Sequence, residues 1–182
     1  MIQAVVPVPA LPSAGHPGFD GAVVNKSVLV QAIIQHLSGE LATYARAARA
    51  AHAEATHEQS RAENKYDTRG LEASYLARGQ SRQASALENT LQQFQALPLR
   101  TFGPADPADL TAVVELDGPG GASTYFIRPG AGGTEVQVGN REVTVITPQS
   151  PLGRQLLGRR AGERLTLDLG GAPREHRVVS VG

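Results

Sequence analysis

Two long segments of the chain repeat apolar residues at alternating intervals of four and three positions. The first repeat runs through Leu37, Leu41, Tyr44, Ala48, Ala51 and Ala55, and the second through Ala73, Ala77, Gln80, Ala84, Leu87, Leu91 and Phe94. This spacing gives each of two helices one apolar stripe to bury. If the chain folds back near Asn64, Leu37 pairs with Leu91 and Ala55 with Ala73. The pattern predicts an antiparallel coiled-coil hairpin that is broad at its base and narrow, mostly alanine, toward its tip.

Polar caps and prolines set the limits of this predicted hairpin. Asn25 or Ser27 can cap the first helix, whose pattern continues to roughly Glu63. The pattern weakens before Gly70, so we place the tip turn between residues 60 and 70. Pro98 ends the second helix at about residue 96.

Beyond the hairpin the apolar period changes from about 3.6 to two, which is typical of strands. Alternating runs separated by glycine turns predict strands over 113–117, 123–128, 134–138, 142–146, 164–169 and 175–181. Ser150 and Pro151 open a short helix, with the serine as cap and the proline at the first helical position. We therefore predict an α+β protein, in which the hairpin precedes a small antiparallel sheet packed on one short helix.

The changes in pattern divide the chain into parts. Residues 1–24 are rich in proline and small residues and have no sustained period, so a flexible arm is expected. The other expected parts are a finger over 25–97, a proline-rich linker over 98–109 and a globular domain over 110–182.

Composition limits the functions that the chain can have. With 182 residues, the chain suits one compact domain with an elaboration or two small domains. Its formal net charge of zero indicates no bulk attraction to nucleic acid or membrane, and the absence of cysteine excludes thiolate catalysis and cysteine-ligated zinc. No apolar run is long enough to cross a bilayer, and no cationic residue precedes Lys26. We expect a soluble cytoplasmic protein with no membrane contact.

The C-terminal part contains a motif that resembles a known family. The stretch from Ile146 to Gly158, ITPQSPLGRQLLG, followed by the strand RVVSV at 177–181, resembles the C-terminal domain of the Gre family of bacterial transcript cleavage factors. Glu63 and Asn64, followed closely by Tyr66, are similar to the acidic element at the tip of that family's coiled coil. The resemblance covers about residues 26–181 and implies an FKBP-like C-terminal domain.

The resemblance implies a partner and a chemistry. Family members insert the finger into the secondary channel of RNA polymerase, where tip carboxylates help to hold a Mg²⁺ ion shared with the polymerase. Glu63 is the first candidate ligand, and Glu58 and Asp67 are further candidates. The chain would then bind core polymerase as a monomer, close to the 3′ end of the nascent RNA. It would act as a cofactor of another enzyme's active site and bind no metal alone.

The tip also departs from the family pattern. Cleavage-promoting members have an aspartate three positions before the tip glutamate, where this chain has Ser60. A Gre-like factor that inhibits or modulates the polymerase without cleavage is therefore the alternative. From the residues alone, Glu58, Glu63 and Asp67 are also compatible with a solvated helix surface.

By resemblance, the globular domain docks on the polymerase near the rim of the channel. The candidate contact residues are Ser150, Pro151, Leu152, Arg154, Arg159 and Arg160. Arginine is suited to pairing with carboxylates of a partner. The alternative is that Leu152 and its neighbouring leucines form the domain core and that the arginines are solvated.

Two further functions are compatible with the predicted architecture. The FKBP-like fold is related to prolyl isomerases, which need an aromatic-lined pocket, but the globular domain offers only Tyr125 and Phe126. A coiled-coil adaptor for a partner other than polymerase is the remaining possibility.

Overall fold

The computed structural model describes residues 24–56, 69–168 and 172–182. Two long helices open it, α1 (Lys26–Thr56) and α2 (Arg69–Gln95). Asn25 is the cap of α1, because its Oδ1 accepts hydrogen bonds from the backbone N–H groups of Ser27 at 3.0 Å and Val28 at 3.2 Å. The pattern that begins at this cap therefore produces a helix of 31 residues, about 46 Å long at 1.5 Å per residue.

The two helices pack along the predicted stripes, so the hairpin seam is confirmed. In α1, Leu37 and Ala51 are buried and the intervening stripe residues are half-buried. In α2, Leu91 and Phe94 are buried, and the stripe positions before them are all half-buried. Between Ala73 and Leu87 the residues that flank the stripe in α2 are exposed, as expected for a two-helix hairpin that buries one face.

The described residues after α2 form a sheet and one short helix. In chain order these are β1 (Val113–Gly118), β2 (Gly121–Ile127), β3 (Glu135–Val138), β4 (Arg141–Ile146), α3 (Pro151–Leu156), β5 (Arg164–Leu167) and β6 (Arg174–Val181). The six strands lie in the order β3-β4-β2-β1-β6-β5. The predicted fold class, a helical hairpin followed by a small sheet with a short helix, is therefore confirmed.

One strand pair differs from the prediction of an antiparallel sheet. Strands β2 and β4 are parallel, with Thr124 opposite Val143 and Ile127 opposite Ile146. The chain leaves β2, passes the position of β4 to form the edge strand β3, and returns as β4 between the two. The sheet is thus mixed, because periodicity specifies which face a residue occupies and not which strand lies beside it.

Each face of the sheet has its own helical cover. One face packs against α3 and the segment before β1 through a core that includes Leu116, Ile127 and Leu156. The other packs against the start of α1 and the end of α2, where Leu29, Ile33 and Phe94 contact the sheet residues of the same core. The sequence predicted only the first cover.

Within the described part of the hairpin, only the base belongs to these cores. We call residues 42–56 and 70–86 the shaft; none of them is part of either core cluster. An open cleft of about 610 Å³ lies between the hairpin and residues 131–135, with His36, Glu40 and Glu135 in its lining. The described part of the shaft therefore stands off the sheet. No described helix is long and apolar enough to cross a membrane.

Candidate functional site

The sequence predicts metal ligands at the tip of the hairpin, in the segment between the described ends of α1 and α2. Glu58, Glu63 and Asp67 are outside the described residues, as is Ser60. The nearest described acids are Glu54, close to the end of α1, and Glu72, in the first turn of α2, and both are exposed. Within the described ranges, no three histidine, aspartate or glutamate side chains are grouped as they would be to hold a metal ion.

A band of positive charge surrounds the middle of the shaft. Residues 42–53 of α1 and 73–86 of α2 include no aspartate or glutamate. The exposed arginines of the band are Arg46, Arg49, Arg78 and Arg82. None of these arginines forms an ion pair with a described residue, and the Arg46 guanidinium donates to the Thr43 hydroxyl at 3.2 Å. The band is therefore available for contacts with an anionic partner.

Large apolar side chains are exposed on the distal part of α2. Leu71, Tyr75 and Leu76 are 55%, 63% and 56% exposed. The sequence pattern does not single them out, because the apolar period follows the stripe that the hairpin buries and these three residues lie off that stripe. The signal was nonetheless present, since large apolar residues off the stripe of an amphipathic helix have no partner within the hairpin.

The start of α3 explains the motif that carries the family resemblance. The Ser150 hydroxyl accepts a hydrogen bond from the Gly153 N–H at 2.9 Å and donates one to the Thr147 carbonyl at 2.7 Å. Pro151 takes the first helical position, where no N–H is needed. A Cβ atom on Gly153 would overlap the Thr147 carbonyl oxygen, so only glycine fits there. The predicted cap is confirmed, and the requirement for Gly153 is an addition from the structure.

The remaining predicted docking residues differ in their burial and in the hydrogen bonds and ion pairs that they form within the domain. Leu152 is half-buried against the α3-side core, so packing explains much of its presence. Arg154 is exposed and donates to the Gln149 carbonyl at 2.5 Å. Arg159 pairs with Glu163 at 3.2 Å, and the Arg160 guanidinium bonds the Ala105 carbonyl.

Pro151, Arg154 and Arg160 are thus the exposed members of the predicted docking set, and neither of these two arginines forms an ion pair with a described side chain. The contact of these residues with polymerase stays a prediction.

A cluster of cations joins the start of α1 to the segment before the sheet. The Lys26 amine lies 4.4 Å from the centre of the Phe102 ring, and the Arg100 guanidinium carbon lies 4.7 Å from the same centre. Lys26 also donates to the Arg100 carbonyl, while Arg100 pairs with Asp109 at 3.1 Å. Burial, with the nearby Arg100 charge, lowers the pKa of Lys26 to about 8. The cluster fixes the linker against the hairpin.

A second arginine is buried where the hairpin base meets the sheet. The Arg128 guanidinium lies over the Phe94 ring at 3.7 Å, and its Nε and Nη1 have no hydrogen-bond partner among the described residues. Burial lowers the pKa of Arg128. The aromatic face is therefore the main favourable contact seen for this charge.

A third buried charge is paired within the sheet. The Glu115 carboxylate bonds the Arg141 guanidinium and accepts a hydrogen bond from the Ser180 hydroxyl at 2.7 Å. This network satisfies the buried acid, and it serves the structure of the sheet.

The aromatic residues of the sheet do not form the pocket that a prolyl isomerase needs. Phe126 is 0% exposed and lies in the core beneath the hairpin base. Tyr125 is half-buried on the opposite side, against the α3 core. The two rings therefore cannot line one common site.

The chain matches no protein-family profile and no curated protein sequence. Among solved structures it is similar to the GreA factor homolog Gfh1 of Thermus thermophilus, at 23% identity with a TM-score of 0.35, covering 82% of this chain and 94% of that one. A second structure of the transcription factor Gfh1 matches at 26% identity and a TM-score of 0.36, covering 82% and 93%.

A GreA/GreB elongation factor of Nitrosomonas europaea matches at 16% identity and a TM-score of 0.33, covering 53% of this chain and 78% of that one. These structures carry the names of Gre-type factors, the family that the sequence motifs resemble. Because all these TM-scores are below 0.5, we base the function below on the residues of this chain.

Proposed function

We propose that this protein is a divergent Gre-like transcription factor that binds core RNA polymerase and inserts its hairpin into the secondary channel. The observation that carries the proposal is the hairpin itself, whose base alone is part of a core while the shaft is slender and stands off the sheet. Alanine at Ala51 and Ala77 lets two helices approach closely, which suits a probe that must enter a narrow channel. The Ser150 motif, resembling that of Gre factors, supports the same family.

The chemistry proposed for the tip is assistance to the polymerase's own active site. Glu63, with Glu58 or Asp67, would supply carboxylate oxygens to a Mg²⁺ ion shared with the polymerase, since Mg²⁺ prefers carboxylate and water ligands. Two metal ions can stabilise the attacking and the leaving oxygen in phosphodiester hydrolysis. The nascent RNA 3′ end would then lie next to the tip, and the protein would have no catalytic activity alone.

The globular domain is proposed to dock at the rim of the channel through the first turn of α3. Pro151 and Arg154 are exposed there, and Ser150 holds the turn in place. Arg154 can pair with a carboxylate of the partner without first breaking an ion pair of its own.

The deciding experiment incubates the protein with a backtracked elongation complex and measures the length of the RNA. We expect shortening from the 3′ end, and Glu63→Ala should slow it about 10-fold or more because the shared metal loses an oxygen ligand. Glu88→Ala, which removes an exposed acid from α2 far from the tip, is the matched control and should leave the rate unchanged. Shortening that persists in Glu63→Ala would remove this residue from the mechanism.

A factor that occupies the channel without cleavage is the second candidate, and Ser60 favours it. If wild-type protein slows elongation but does not shorten the RNA, this candidate is correct. Ser60→Asp, which restores the carboxylate of cleavage-promoting members, should then introduce shortening. A protein that neither binds core polymerase nor changes transcription would refute both candidates.

A further inference from the structure

We propose that the distal outer face of α2, formed by Leu71 and Tyr75 and continued by Arg78 and Arg82, is a docking surface for a protein wall that is apolar and bordered by carboxylates. The inference rests on the proposed function, under which that wall is the inner surface of the polymerase channel. It specifies which side of the hairpin contacts the wall.

The distribution of side-chain sizes is the first support. In this part of α2 the hairpin half-buries the small residues Ala73 and Ala77, while Leu71 and Tyr75 remain more than half exposed. A hairpin that needed only its own stability would place the large apolar residues in the seam, where burial gains more free energy. The exposed positions thus serve a surface outside the hairpin, and the alanine seam keeps the hairpin narrow.

The arrangement along the helix is the second support. Leu71, Tyr75, Arg78 and Arg82 are separated by four, three and four residues, so they form one line on the outside of α2. At 1.5 Å per residue this line is about 16 Å long, apolar toward the tip and cationic toward the base. Since neither arginine has an ion pair among the described residues, a complementary wall presents an apolar patch followed by acids.

The composition of the line favours protein over nucleic acid. Leucine side chains offer no ring for base stacking and no group that reads base edges, whereas single-stranded RNA sites combine cations with several aromatic rings. Tyrosine and arginine beside aliphatic residues are typical of the energetic centres of protein interfaces. A channel wall made of protein is therefore the occupant that fits.

The test measures the affinity of the full-length protein for core polymerase. The double variant Leu71→Ser/Tyr75→Ser should weaken binding about 10-fold or more, the loss expected when central interface anchors are truncated. Val28→Ser is the matched control, because Val28 is 53% exposed but lies at the hairpin base. Circular dichroism establishes that the double variant keeps its helix content, as expected for exposed positions.

A photocrosslinking residue supplies the second measurement. With p-benzoylphenylalanine in place of Tyr75, we expect crosslinks to polymerase protein, and with the same residue in place of Ala50 on the outside of α1 we expect few.

Crosslinks from position 75 to RNA, or affinity unchanged in the double variant, would overturn the docking surface while leaving polymerase binding intact. Sedimentation showing that the variant abolishes self-association would assign the face to a second copy instead. Failure of the wild-type protein to bind polymerase would reject the proposed function together with this surface.

Discussion

The protonation of the Lys26 amine is subject to opposing effects of its surroundings. The Phe102 ring and the Arg100 carbonyl favour the charged ammonium, while burial and the Arg100 guanidinium disfavour it. Burial is the larger influence, and the pKa of Lys26 falls from 10.5 to about 8. Near neutral pH, where Lys26 is protonated, the burial of its ammonium group therefore destabilises the folded state.

The pH dependence of folding follows from this lowered pKa. Below pH 8, Lys26 is protonated in the folded and unfolded states, so the cost is fully present. Between about pH 8 and 10.5 the unfolded state binds more protons, and the free energy of unfolding contributed by Lys26 rises with pH. Denaturant unfolding gives the free energy of unfolding of wild type and of Lys26→Met at each pH. Between pH 8 and 10.5 this free energy should rise for wild type relative to Lys26→Met. Parallel curves for the two proteins would contradict the prediction.

At the scale of elements, the alanine seam makes the hairpin slender. Ala51 is 7% exposed on the seam side of α1, so a larger side chain there has to push the helices apart. The adjacent Ala50 is exposed on the outside of the same helix. The two positions differ in environment but not in residue type or helix propensity.

This pair gives a matched test of the seam. Ala51→Leu should overpack the shaft and destabilise the hairpin by about 1–3 kcal/mol, whereas Ala50→Leu should change its stability by less than about 0.5 kcal/mol. Thermal unfolding followed by circular dichroism at a helix wavelength measures both. A stabilised Ala51→Leu protein would mean that the seam has room for larger side chains and that its narrowness has another origin.

At the scale of elements, the features that follow from a regular period of burial are predictable from sequence. The hairpin seam and the strand positions were predictable because burial of one face imposes a fixed period on the residues. The cap at Ser150 was predictable because it depends on neighbours in sequence. The parallel pairing of β2 with β4 and the requirement for Gly153 were not, since both depend on backbone segments that meet only in the folded chain.

The same distinction applies to the candidate site. The tip acids and the arginines near α3 were identified by resemblance, whereas the exposed Leu71 and Tyr75 required knowledge of which side of α2 is covered. The contacts of Phe102 and Phe94 with cations could not be predicted from the sequence either. Lys26 and Phe102, and Arg128 and Phe94, are far apart in sequence and meet only in the folded chain.

For the whole molecule, the joint between hairpin and sheet determines whether the two units behave as one. Leu29 and Ile33 of α1 and Phe94 of α2 share a core with Phe126 and its neighbours in the sheet. Periodicity did not reveal this joint, because the same apolar residues also continue the helix pattern. A shared core of this kind couples the unfolding of both units and holds the base of the hairpin on the sheet.

The residues of this joint should have very unequal effects on stability. Phe94→Ala should cost about 3–5 kcal/mol, because it opens a cavity in the shared core and removes the ring beneath the Arg128 guanidinium. Arg128→Met should lose less than about 1 kcal/mol, since it removes a charge whose Nε and Nη1 are unpartnered among the described residues and keeps an apolar stem over the ring. Chemical denaturation gives both values, and hydrogen exchange shows whether Phe94→Ala lets the hairpin open before the sheet. Equal losses in the two variants would mean that the Arg128 charge, and not the Phe94 packing, holds the hairpin to the sheet.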